Sequence, residues 1–162
     1  MMQAQESSAS FLFAEGVTFA EDGEWQEAIV HIQKAVKLDP LNPLYHYFLG
    51  GCYYELGAYE TALERLTVAI GQDAALIKAY HKRGMSFYQL GRYEEAIRDF
   101  NRVIESQSSF AEAYYFRAKC KMNKFDIGGA WADYKKSPIR NRQVSGFFLK
   151  MRHAPYSKKK VR

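Results

Sequence analysis

One interval governs this chain. The segments DGEWQEAI (22–29), LGAYETAL (56–63) and LGRYEEAI (90–97) recur every 34 residues, and a weaker KFDIGGAW (124–131) follows in register. Ala28, Ala62, Ala96 and Ala130 keep the interval, as do Trp25, Tyr59, Tyr93 and Ile127, and upstream Gly16, Gly50, Gly84 and Ala118. Gly23, Gly57 and Gly91 share a further phase that Phe125 breaks. A period of this size belongs to repeat architectures, in which each unit buries its apolar face by stacking on the next.

Each unit reads as two helices. From Leu44 to Leu56 apolar groups follow helical spacing and stop at Gly57, a residue suited to the left-handed turn that ends a helix. The stretch from Tyr59 to Ile70 places Ala62, Leu63, Leu66, Ala69 and Ile70 on one amphipathic stripe. Gly or Ala at one crossing point and Ala at the other let two backbones approach, so the pair is expected to pack as a hairpin. No β-alternation appears, and the expected class is all-α.

These residues resemble the tetratricopeptide repeat family. The pattern is large residue, Gly/Ala, aromatic, Gly, aromatic, Ala, large residue, Ala and Pro, ending in the first unit on Ala28, Ile32, Ala35 and Pro40. The third unit supplies Tyr80, Gly84, Phe87, Gly91, Tyr93, Ala96 and Phe100. Ala74 and Ser108 replace the closing Pro, and the fourth unit departs further at Lys121, Phe125 and Ile127. The resemblance implies a right-handed superhelical solenoid of antiparallel helix pairs. Its four units are 9–42, 43–76, 77–110 and 111–137, preceded by a flexible N-terminus at 1–8.

The resemblance also implies a concave groove lined by the first helix of each unit, the surface such solenoids use for binding. Carried over by register, the partner-binding positions are Phe13 and Val17; Leu44, Tyr47, Phe48 and Tyr54; Lys78, His81, Lys82, Met85 and Tyr88; and Tyr115, Phe116, Lys119 and Met122. Ser10, Glu21, Gly51 and Glu112 share the same lining register. Aromatic and aliphatic groups dominate this set, and an exposed apolar patch of that kind marks an interaction site. The expected partner is another protein, offering an amphipathic helix or an apolar peptide to an adaptor or scaffold. Chaperone-binding members grip a C-terminal carboxylate with Lys, Asn, Asn, Lys and Arg; the corresponding positions here are Phe13, Val17, Phe48, Lys78 and Lys82. The first Lys and both Asn are gone, which disfavours that clamp.

No residues suggest catalysis. His31, His46, His81 and His153 lie in different units without ligand spacing, so no metal and no cofactor is expected. Cys52 and Cys120 occupy one repeat position two units apart, too far to bridge, and read as small buried hydrophobes. There is no phosphate-binding glycine loop and no nucleophile elbow. The chain is therefore expected not to be an enzyme.

The net charge of +5 averages two unlike parts. Eight of the 23 basic residues lie from Pro138 onward with no acidic one, leaving fifteen against 18 acidic residues before it. Val144, Phe147, Phe148 and Met151 recur at helical spacing, so 138–154 is expected to form an amphipathic helix capping the last repeat, followed by a basic disordered tail at 155–162. Docking of this helix into a groove, its own or a neighbour's, is one alternative. Another is an RNA- or anionic-membrane-associated factor that uses the basic end, and a self-associating structural module is a third. Nucleic acid is not the expected partner. With no apolar run long enough to span a bilayer, the expectation is a cytoplasmic protein, monomeric or weakly homodimeric, with nuclear import by SKKKVR (157–162) as a weaker reading.

Overall fold

The computed structural model describes residues 2–137. They form eight α-helices and no strand: α1 (Met2–Glu21), α2 (Trp25–Leu38), α3 (Pro43–Glu55), α4 (Tyr59–Gln72), α5 (Ile77–Gln89), α6 (Tyr93–Ser106), α7 (Ala111–Asn123) and α8 (Ile127–Lys136). The expected capping helix at 138–154 and the basic tail lie outside the described residues. α1 begins at Met2, so residues 2–8, expected to precede the first repeat as a flexible lead, belong to its first helix. Their composition explains it: Met, Gln, Ala and Glu are good helix formers, and no Gly or Pro interrupts them.

Helices pair in sequence, α1 on α2, α3 on α4, α5 on α6 and α7 on α8, and each hairpin packs on the next. The first helices also touch one another, α1 to α3, α3 to α5 and α5 to α7, making one continuous layer. This is the expected all-helical solenoid.

The small residues sit where backbones cross. A Cβ on Gly16 would lie 2.6 Å from Ile32 Cγ1, on Gly50 2.7 Å from Leu66 Cγ, and on Gly84 2.9 Å from Phe100 Cε1. Ile32, Leu66 and Phe100 themselves keep the 34-residue interval and are fully buried. Each hairpin is thus a large side chain of the second helix seated on a bare patch of the first. In the last hairpin Ala118, Ala130 and Tyr134 form the equivalent cluster.

The turns repeat as faithfully. Gly57 (φ 77°) donates its N–H to Tyr54 O, and Ala58 donates to Tyr53 O, the paired bonds that close a helix C-terminus. Gly23 and Gly91 do the same at φ 80° and 72°. In the fourth unit Phe125 adopts φ 62° and keeps both bonds, Phe125 N–H to Met122 O and Asp126 N–H to Lys121 O. The turn therefore survives the loss of its glycine, with a bulky residue in the left-handed region.

Candidate functional site

The layer of first helices carries the predicted binding residues, and most of them meet. At the N-terminal end Phe13 of α1 packs edge-on against Phe48 of α3 with ring centroids 5.1 Å apart, and Phe48 packs edge-on against Tyr47 at 5.3 Å. At the other end Tyr88 of α5 and Phe116 of α7 lie 5.8 Å apart, with Tyr115 5.4 Å from Phe116. Such edge-on geometry sets a ring's positive rim against its neighbour's negative face.

Lysines lie against rings of this layer. Lys82 Nζ lies 3.2 Å from Glu55 Oε1 and 4.8 Å from the centroid of the Tyr54 ring. Lys119 Nζ sits 4.7 Å over Tyr88, with Tyr115 and Phe116 also within cation–π reach. Tyr54 and Tyr88 are one period apart, so the same aromatic position is covered by a cation from the following unit. The Tyr54 hydroxyl accepts a hydrogen bond from Gln89 at 3.3 Å. The face is therefore an aromatic row crossed by ammonium groups, more polar than the apolar residue types alone imply.

Between α1 and α3, where α5 closes one side, the layer opens into a cleft of about 300 Å³. Val17, Tyr47, Phe48 and Lys82 of the predicted set line it, together with Ala20, Glu21, Trp25, Gly51, Cys52 and Glu55. Cys52 is the small buried residue that the sequence leads one to expect, whereas the contribution of Trp25, from the start of α2, is not visible in a register drawn from first helices alone. Leu44 and Lys78 are exposed at the N-terminal ends of α3 and α5. Met85 packs on the Phe100 core cluster and Met122 on the Ala118 cluster, both half-buried.

Two predicted residues are placed differently from the expectation of an open groove. His81 is buried at 8% exposure, its ring 4.7 Å from that of Phe110 and 6.0 Å from that of Phe100. Tyr115 is likewise buried. The rings of Phe100, Phe110 and Phe116 close over His81, and Phe116 and Lys119 pack on Tyr115, so this lining position is taken up by internal packing. Burial, helped by the neighbouring Lys82 charge, pushes the His81 pKa down to about 4. The Glu112 carboxylate 3.8 Å from Nε2 is half exposed and too well solvated to hold the imidazolium. His81 is neutral at physiological pH.

Cys52 and Cys120 are buried, as expected, and burial drives their thiols up to about 11 and about 12. Neither is a nucleophile at neutral pH. Among the described residues no group of three or more His, Cys, Asp or Glu could hold a metal ion, and no helix is long and apolar enough to cross a membrane.

One repeated feature was missed from sequence. Arg83 of α5 donates from Nε and Nη2 to the two carboxylate oxygens of Asp99 in α6, both at 2.8 Å. Arg117 repeats the fork on Asp133 at 2.8 and 2.5 Å, with Lys121 Nζ adding a third contact at 2.7 Å. Both Arg residues and both Asp residues are one period apart, and that spacing was the available signal. In the first hairpin Glu15 and His31 hold the same two positions, with the carboxylate on the first helix and an imidazole on the second, 3.9 Å apart.

The family described as anaphase-promoting complex, cyclosome, subunit 3 matches residues 21–103. Among solved structures, the first tetratricopeptide domain of Spaghetti (RPAP3) bound to the HSP90 peptide SRMEEVD is similar at 27% identity and TM-score 0.73, covering 74% of this chain and 95% of that one. The second such domain of human RPAP3, in complex with the HSP70 peptide SGPTIEEVD, is similar at 26% identity and TM-score 0.68, covering 75% and 98%. A crystal structure of MamA is similar in fold at 22% identity and TM-score 0.77, covering 94% and 85%. No curated protein matches the chain.

Proposed function

The chain belongs to the tetratricopeptide-repeat family matched through anaphase-promoting complex, cyclosome, subunit 3, and we propose that it is a protein-binding adaptor that takes a helical or apolar peptide segment on its layer of first helices. Two similar structures hold a peptide of another protein, which supports the binding half of this reading. The observation that carries the finer half is the aromatic row itself. Where a carboxylate-gripping groove needs polar donors, this chain packs Phe13 edge-on to Phe48 at 5.1 Å, beside Val17. Ring edges and a valine offer a carboxylate no strong hydrogen bond, so an acidic C-terminus would lose its hydration there without replacement. An apolar side chain loses nothing and gains area.

Binding rather than catalysis suits the remaining chemistry: the thiols are buried and His81 is neutral and enclosed. The alternatives that rely on the basic end rest on residues 138–162, outside the described part. The test is peptide selection on the full chain, followed by Tyr47→Ser, Phe48→Ser and Tyr88→Ser in combination. Selected peptides should carry apolar residues at helical spacing and lose binding to the variant while its helical circular dichroism persists. Peptides selected for an acidic C-terminus, and released by C-terminal amidation, would overturn the reading.

A further inference from the structure

Gly50 and Gly51 stand side by side in α3, and only one has a packing reason. A Cβ on Gly50 would collide with Leu66, whereas one on Gly51 would meet nothing within 4 Å. A glycine inside a helix is less stable than alanine at the same place. Gly51 lines the cleft, and the same repeat position holds Val17, Met85 and Lys119 in the other units. Its missing side chain is what leaves the cleft open.

The walls and the rim differ in chemistry. Val17, Trp25, Tyr47 and Phe48 supply an apolar interior large enough for one bulky side chain. Glu21 and Glu55 stand on the rim, both exposed, and the turn that follows Glu21 adds exposed Asp22 and Glu24. Lys82 is the one cation in the lining, and Glu55 already holds it at 3.2 Å. Glu21 makes no ion pair among the described residues. The rim is therefore left with surplus negative charge facing an apolar hole.

We propose that this cleft is the anchor site of the binding face, and that it takes a partner peptide inserting one large apolar side chain with a basic residue one helical turn away, opposite Glu21 and Glu55. This rests on the peptide-binding reading above and narrows it to one end of the layer and one charge. It also reverses the charge preference of the peptides SRMEEVD and SGPTIEEVD held by the similar domains. Gly51 is the residue that sets specificity, by keeping the hole open.

The probe is a fluorescein-labelled twelve-residue helical peptide with a single central Phe and Lys four residues to either side, compared with the same peptide carrying Glu in place of both Lys. On the full chain the Lys peptide should bind about tenfold more tightly than the Glu peptide. Glu21→Gln with Glu55→Gln should remove most of that difference. Gly51→Met should abolish binding of the Lys peptide while raising the melting temperature, an outcome that loss of fold cannot imitate. Equal or tighter binding of the Glu peptide, or unchanged binding to Gly51→Met, would overturn the proposal. So would two other occupants: a dimer by light scattering that Gly51→Met dissolves, or a peptide-free monomer whose Trp25 emission shifts on Phe147→Ser with Phe148→Ser. Peptides that bind only through Tyr88 and Phe116 would leave the adaptor reading intact and refute the anchor site.

Discussion

Arg83 holds Asp99 through two parallel hydrogen bonds of 2.8 Å, tying the first helix of the third hairpin to its second. Both side chains are largely withdrawn from water, the carboxylate more than the guanidinium. A fork of this kind fixes the rotation of one helix against the other as well as their distance. It thereby fixes which residues of α5, Lys82 and Tyr88 among them, face the binding layer.

Asp99→Ala should cost about 3 kcal/mol, since it leaves the Arg83 charge half-buried and unanswered. Arg83→Met with Asp99→Leu should recover most of the loss, because apolar replacement of both partners leaves no orphaned charge. Urea denaturation of the three proteins measures both values. A single variant as stable as the parent would mean that water already satisfies the pair.

Adjacent glycines should respond in opposite directions. Gly50→Ala forces a methyl to within 2.7 Å of Leu66 and should destabilise by about 1–3 kcal/mol. Gly51→Ala meets open space and should stabilise by about 1 kcal/mol through helix propensity alone. Thermal denaturation of the two variants decides it.

Phe125 is 88% exposed and holds φ 62°. Left-handed backbone costs a non-glycine residue about 1–2 kcal/mol, and this side chain recovers little by burial. Phe125→Gly should therefore raise the denaturation midpoint by the equivalent of about 1 kcal/mol, after the entropic cost of glycine. A fall in the midpoint would show that the exposed ring has a stabilising contact.

How much of this was legible beforehand follows from what repeats. The 34-residue interval fixed the hairpins, and Gly16, Gly50 and Gly84 announced the crossings because only a bare backbone admits Ile32, Leu66 and Phe100. The lining register located Phe13, Tyr47, Phe48 and Tyr88 on one layer. It could not distinguish the lining positions that stay open from those that neighbouring units close over, and so His81 and Tyr115 were expected on the surface. Nor could a register confined to first helices find Trp25, which reaches the cleft from α2. The Arg–Asp forks were written in the spacing of 83 to 117 and 99 to 133, but charged residues on helices usually face water.

Acid should weaken the fold in two steps of the same sign. Folded His81 has its pKa pushed down to about 4, against 6.5 ordinarily. Between those values the unfolded chain binds more protons, so stability present above pH 6.5 is lost as pH falls towards 4. Burial pushes the Asp133 carboxyl up, but hydrogen bonds from Arg117 and Lys121 more than offset it and hold the group below its ordinary value. Its contribution is present above the ordinary carboxylate range and is lost as pH falls through the lowered one. Urea midpoints across pH should decline in both windows, and His81→Leu should flatten the upper one alone. A His81 imidazole that titrates near 6.5 by NMR would contradict the first step.

Whether the layer of first helices is the binding face is decided by a backbone amide NMR titration of the full chain with a selected peptide. Shifts should cluster at Val17, Tyr47, Gly51, Lys82 and Tyr88, with the outer surface of α2, α4 and α6 unmoved. Shifts confined to those second helices, or to residues 138–162, would contradict it.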